Sequence, residues 1–113
     1  EINLDSGMTI IIHEEGKGEL PKKGSHIKAH YTGFMNDGKQ FDSSYMRNKP
    51  FDFPLGMGRV IKGWDEGFAN IKVGTKATFI IPPELGYGTN GAGGMIPPNA
   101  TLFFQVELLE AGS

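Results

Sequence analysis

The chain has 113 residues, thirteen acidic against eleven basic side chains, a formal net charge of −2 and no cysteine. One domain of that length buries somewhat over ~60% of its unfolded surface, and the absence of cysteine excludes disulfide staples, thiolate nucleophiles and Cys-based metal sites while leaving the redox compartment open. The lysines are scattered, whereas a nucleic-acid partner needs a concentrated basic footprint, and no apolar run approaches the ~20 residues of a membrane-spanning helix; with no signal-like segment before Gly7, the expectation is a single soluble domain over residues 1–113, cytoplasmic by default and monomeric.

Seventeen glycines and seven prolines cut the sequence into short runs, the pattern of a β-rich domain with little helix. Met8 to Ile12 reads as a strand whose near-continuous apolar character leaves its facing open. In the next strand Ile27, Ala29 and Tyr31 share one face and His26, Lys28 and His30 the other. Asn36-Asp37-Gly38 then supplies residues that tolerate positive φ for a hairpin, and Phe41 begins the return strand. Ile61, Trp64, Phe68 and Ile71 recur at helical spacing, which predicts one helix between Val60 and Ile71. Gly67 is unfavourable within it by roughly 1 kcal/mol relative to alanine, so either the helix ends early or a close neighbour requires the missing side chain. Lys76 to Ile81 is a further strand, stopped by Pro82-Pro83. Leu102, Phe104, Val106 and Leu108 recur at period two, the mark of a strand with one strongly buried face.

Five short motifs stand in register over some seventy residues: His30-Tyr31-Thr32-Gly33, Phe41-Asp42-Ser43-Ser44, Val60-Ile61-Lys62-Gly63-Trp64-Asp65-Glu66-Gly67, Gly86-Tyr87-Gly88, and Ile96-Pro97-Pro98-Asn99-Ala100-Thr101-Leu102. In this order and at these separations they resemble the FKBP family of peptidyl-prolyl isomerases, from about Gly7 to Leu109. The resemblance implies an α+β fold: an antiparallel sheet of about five strands, strongly twisted and wrapped around one short helix, with the ligand pocket between them. It implies cofactor-free, metal-free cis-trans isomerisation of Xaa-Pro bonds in peptides and unfolded proteins, and a pocket able to take macrolides such as tacrolimus or rapamycin.

By the same resemblance the pocket walls are Tyr31, Phe41, Phe51, Trp64, Tyr87 and Phe104, with Trp64 at the floor. Val60, Ile61 and Ile96 fill between them. The catalytic set is then Asp42, Tyr87, Phe41, Trp64 and Phe104. Tyr87 donates its hydroxyl to a substrate carbonyl, the Ile61 N–H takes a second, and Asp42 polarises the rotating amide, with Arg47 as the basic group beside it. Taken singly, Phe51 and Phe104 read as ordinary core and Asp42 as a turn residue; only the family register raises them. A different class of function stays open beside the enzyme: a binding module that holds proline-containing segments or a macrolide without turnover, as one domain of a longer polypeptide.

Other signals lead nowhere. Gly86-Tyr87-Gly88-Thr89-Asn90-Gly91 satisfies the dinucleotide fingerprint, but Gly93-Gly94 and Pro97-Pro98 follow where a helix is required. His26 and His30 on one strand stand roughly 13 Å apart, too far to share a metal. A hydrolytic triad from His30, Asp42 and Ser43 or Ser44 lacks a nucleophile turn. Asn99-Ala100-Thr101 is a formal glycosylation sequon. The pattern departs from the family's commonest residues at Pro54, Met57-Gly58-Arg59, Phe68 and the glycine-laden loop from Thr89 to Met95, whose softness should weaken macrolide binding more than basal turnover.

Overall fold

The computed structural model describes residues 1–91 and 96–112, so the expectation of a softer rim over Ala92–Met95 lies outside the described residues. Within them, seven strands form one antiparallel sheet, six in the order β1-β2-β6-β7-β3-β4 and the seventh, β5, paired with β3. The strands are β1 (Ile2–Asn3), β2 (Thr9–Glu14), β3 (His26–Met35), β4 (Gln40–Ser43), β5 (Phe51–Pro54), β6 (Lys76–Ile81) and β7 (Leu102–Gly112), with helix α1 (Lys62–Ala69) between β5 and β6. The centre is the β3 and β7 pair, which runs from His26 opposite Gly112 to Met35 opposite Leu102.

Seven strands against the expected five is a difference of segmentation. β4 and β5 pair the same strand, β3, at different stretches: Ser43, Asp42 and Gln40 oppose Thr32, Gly33 and Phe34, while Phe51 to Pro54 oppose Ala29 to His26. They are two halves of one strand, parted by a 3-10 turn over Tyr45–Arg47. The other addition, β1, is a two-residue edge pairing with Ile10 and Thr9, too short to carry a periodic signal.

Alternation in the sequence becomes a two-faced sheet. Ile27, Ala29 and Tyr31 of β3 and Leu102, Phe104, Val106 and Leu108 of β7 are buried, and the facing of β2 resolves with Met8 and Ile10 inward. The hairpin after β3 closes through Asn36-Asp37-Gly38, with the Gly38 N–H donating to the Met35 carbonyl at 2.8 Å and Gly38 at φ +87°.

The helix covers the inner face and does not end early. A Cβ on Gly67 would stand 2.7 Å from Cε2 of Phe79, and one on Gly63 would stand 2.7 Å from Ile81. Two glycines one turn apart let α1 descend onto β6 at backbone distance, with Trp64 and Phe68 buried beside them. The close neighbour, and not an early end, accounts for Gly67. Replacing Gly67 by alanine therefore sets about 1 kcal/mol of gained helix propensity against over-packing that typically costs about 1–3 kcal/mol. Gly67→Ala is expected to lower stability by about 1 kcal/mol in urea unfolding; a stabilised variant would show that the helix is free to lift from the sheet.

Candidate active site

Between the helix and the sheet lies a cavity of about 260 Å³. Its aromatic lining is Tyr31, Phe41, Phe51, Trp64, Tyr87 and Phe104, completed by Val60, Ile61, Asp42 and Arg59. The sequence expectation thus meets in one place for nine residues. Ile96 and Arg47 are not part of the lining. Ile96 is 6% exposed and packs into the hydrophobic core. Arg47 sits on the turn between β4 and β5 and reaches back to Asp42. Arg59 is the addition: it stood out in the sequence only as an unusual neighbour of Val60.

Trp64 is the hub of the walls. Its indole meets the rings of Tyr31, Phe104, Phe68 and Phe51 edge-on at centroid distances of 4.8, 5.3, 5.4 and 5.7 Å. Each such pair contributes on the order of 0.5–1.5 kcal/mol beyond area burial. The indole N–H is buried with no partner among the described residues. Gly33 leaves room for the side walls, since a Cβ there would stand 2.6 Å from Phe41 and 2.8 Å from Phe104.

Neighbouring residues on a regular strand point to opposite faces, yet Phe41 and Asp42 both line the cavity. A bulge resolves this. Asp42 opposes Gly33 and Gln40 opposes Phe34, so Phe41 is an extra residue with no partner of its own. Bulges re-aim side chains in this way.

The polar groups gather at one corner. The Tyr31 hydroxyl donates to Asp42 Oδ2 at 2.5 Å and accepts from Arg47 Nη2 at 2.7 Å. Asp42 Oδ1 accepts from Arg47 Nη1 at 2.9 Å and from the Ser43 N–H at 2.8 Å. Burial by itself would raise the Asp42 carboxyl, but the Tyr31 hydroxyl, Arg47 and the Ser43 N–H outweigh it and hold the group below its ordinary range. Burial, then the hydrogen bond to Asp42, push the Tyr31 hydroxyl up to about 12.

Tyr87 and the backbone of Ile61 each offer a donor with no partner among the described residues. Tyr87 is 39% exposed, and burial of its hydroxyl, then the charge of Asp42, raise its pKa and keep it a protonated donor. Ile61 stands just before α1 in extended conformation, φ −59° and ψ 151°, where a helix leaves its first N–H groups unpaired.

The histidines serve elsewhere. His26 Nδ1 lies 3.4 Å from Asp52, whereas His30 Nδ1 lies 2.8 Å from Ser44 Oγ and its ring stacks on Tyr45. Ser44 is wholly buried, its oxygen accepts the Tyr31 N–H, and Asp42 turns to Arg47 instead of His30, so no accessible nucleophile and no relay form. Among the described residues no group of three or more His, Asp or Glu side chains is arranged to hold a metal.

Comparison with known proteins agrees with this geometry. The profile of the FKBP-type peptidyl-prolyl cis-trans isomerases matches residues 17–109. The chain is 54% identical over 103 residues to FK506-binding protein 1 of Dictyostelium discoideum, covering 91% of this chain and 96% of that one. It is 50% identical over 105 residues to peptidyl-prolyl cis-trans isomerase Fkbp12 of Drosophila melanogaster, covering 92% and 97%. The crystal structure of AtFKBP13 superimposes with a TM-score of 0.92 at 42% identity, covering 96% of this chain and 95% of that one.

Removing the guanidinium should release Asp42. In an NMR titration of the side-chain carboxyl, Arg47→Ala is expected to move the Asp42 midpoint upward, toward the ordinary ~3.9 of an aspartate. The sign of the linked stability follows: a folded-state pKa below the unfolded one gives a contribution present above about pH 4 and lost as pH falls through the folded value. An unmoved midpoint would show that the Tyr31 hydroxyl and the Ser43 N–H suffice.

Proposed function

The chain belongs to the FKBP-type peptidyl-prolyl cis-trans isomerase family, and on that premise we propose how its cavity turns an Xaa-Pro bond. The reaction is isomerisation about the proline amide, in peptides and unfolded chains. Rotation breaks amide resonance and faces a barrier near ~20 kcal/mol, which gives uncatalysed times of tens of seconds. No covalent intermediate is needed. A site accelerates the step tenfold for every ~1.36 kcal/mol by which it prefers the half-rotated amide to the planar one.

The observation that carries the reading is a hollow of about 260 Å³ walled by six aromatic rings, in which Asp42 and Arg59 are the charged residues among the described lining. The planar amide has the greater charge separation, so transfer into poorly hydrated, ring-lined space disfavours it relative to the twisted form. Phe41, Trp64 and Phe104 hold the pyrrolidine ring by shape and dispersion. Asp42, kept ionised, presents fixed negative charge to the carbonyl oxygen, whose own negative charge is greatest in the planar state. It acts as a polariser and not as a base, since no proton moves.

Tyr87 and the Ile61 N–H hold the peptide. A donor on the rotating carbonyl itself would stabilise the planar amide, so we assign both to flanking carbonyls, the Ile61 N–H taking that of proline. Arg47 orients Asp42, and Phe51, Val60 and Tyr31 complete the apolar walls, which favour a bulky apolar residue before proline. Ile96 supports the wall from the core. Relatives named FK506-binding proteins support tacrolimus as a ligand of the same hollow, and rapamycin follows as a macrolide of the same class. One domain holds the whole cavity, which supports a monomer as the working unit.

The test is exchange-broadened NMR of a short Leu-Pro peptide at catalytic protein concentration. Wild type should speed exchange and Asp42→Ala should slow it; binding without faster exchange would favour a non-catalytic module, and equal rates would remove Asp42 from its role. Tyr87→Phe is expected to weaken tacrolimus binding by roughly 1 kcal/mol, one hydrogen bond, with modest loss of turnover. An unchanged dissociation constant would contradict the donor assignment.

A further inference from the structure

We infer that Arg59 selects substrates by charge, favouring an acidic residue immediately after the isomerised proline. The inference rests on the isomerase reading. Arg59 lines the cavity and is exposed. Among the described residues it makes no ion pair and no side-chain hydrogen bond. The carboxylates of the neighbouring segments are directed to other partners. Asp42 is held by Arg47 at 2.9 Å. The Asp65 carboxylate accepts the Gly56 and Gly58 N–H groups at 2.8 and 3.1 Å, and Glu66 accepts the Ser6 hydroxyl.

A second cation, Lys49, lines a neighbouring hollow. Phe51 is shared between the main cavity and an adjoining hollow of about 290 Å³ lined by Arg47, Lys49, Pro50 and Asp52. There Asp52 lies 3.4 Å from His26 and Lys49 has no ion pair among the described residues. The two linings together hold Arg47, Lys49 and Arg59 against Asp42 and Asp52, one positive charge in excess on a chain whose formal net charge is −2.

Direction comes from the backbone. Arg59 and Ile61 belong to the same segment ahead of α1. With the Ile61 N–H on the proline carbonyl, the next substrate residue runs along Val60 toward Arg59. A carboxylate there meets a guanidinium beside an apolar wall, a pairing that suits the planar fork of arginine better than lysine.

The experiment measures kcat/KM by exchange NMR for Ala-Leu-Pro-Glu, Ala-Leu-Pro-Gln and Ala-Leu-Pro-Lys peptides, with amidated C-termini, at low and high salt. Wild type should prefer Glu over Gln and Gln over Lys, about two- to fivefold per step at low salt, the range of a solvent-exposed ion pair. The spread should shrink in about 1 M salt. Within Arg59→Gln the three rates should converge, and within Arg59→Glu the order should invert. Turnover of the Gln peptide with no spread among the three would overturn the role of Arg59 and leave the isomerase reading intact. No turnover of any peptide would instead count against the isomerase reading. A spread that persists in Arg59→Gln would move the selection to another cation and also overturn the inference.

Discussion

Two absent side chains set the depth of everything built above them. Without a Cβ at Gly63 or Gly67, α1 settles against Ile81 and Phe79 with ideal Cβ positions only 2.7 Å from those side chains. The indole of Trp64, between them in sequence, is thereby pressed to the level where Tyr31, Phe51, Phe68 and Phe104 all reach it edge-on. A helix held even one methyl group higher would carry the cavity floor away from its walls. Interiors packed at crystal-like density do not absorb such a displacement without loss.

An ionised carboxylate beside an aromatic wall is costly unless it is paired and hydrogen-bonded. Here Asp42 is tied to Tyr31, Arg47 and the Ser43 N–H, which fixes its charge and its direction together. The displaced titrations at this corner all move away from neutrality, Asp42 downward and Tyr31 and Tyr87 upward. Acid-base catalysis tunes its groups toward the working pH. A torsional reaction needs the opposite: charges that stay as they are while the substrate turns.

The proposed reading assigns catalysis and selection to different parts of the same hollow. On that reading the ring-lined floor discriminates planar from twisted amide, while the apolar walls meet the residue before proline. It gives the residues that flank proline to the exposed mouth, where Arg59 lines the main cavity and Lys49 the hollow that shares Phe51 with it. The charge of that mouth can change without disturbing the floor, because it lies outside the buried packing.

Period-two alternation in β3 and β7, the helical stripe through Trp64 and Phe68, and the Asn36-Asp37-Gly38 turn were all legible, because each is a local pattern. The register of five motifs carried the family and, through it, nine of the ten residues that line the cavity. The structure alone decided whatever depends on partners far along the chain. Gly67 is explained by Phe79, twelve positions away; Phe41 and Asp42 share a side because β3 opposes them with one residue fewer. Ile96, read from the sequence as a pocket residue, went to the core, and Arg59, to which the sequence reading gave no role, lines the cavity. A sequence records which side chains are present and their local spacing, but close approach between segments is set only when the whole sheet and helix compete for the same volume.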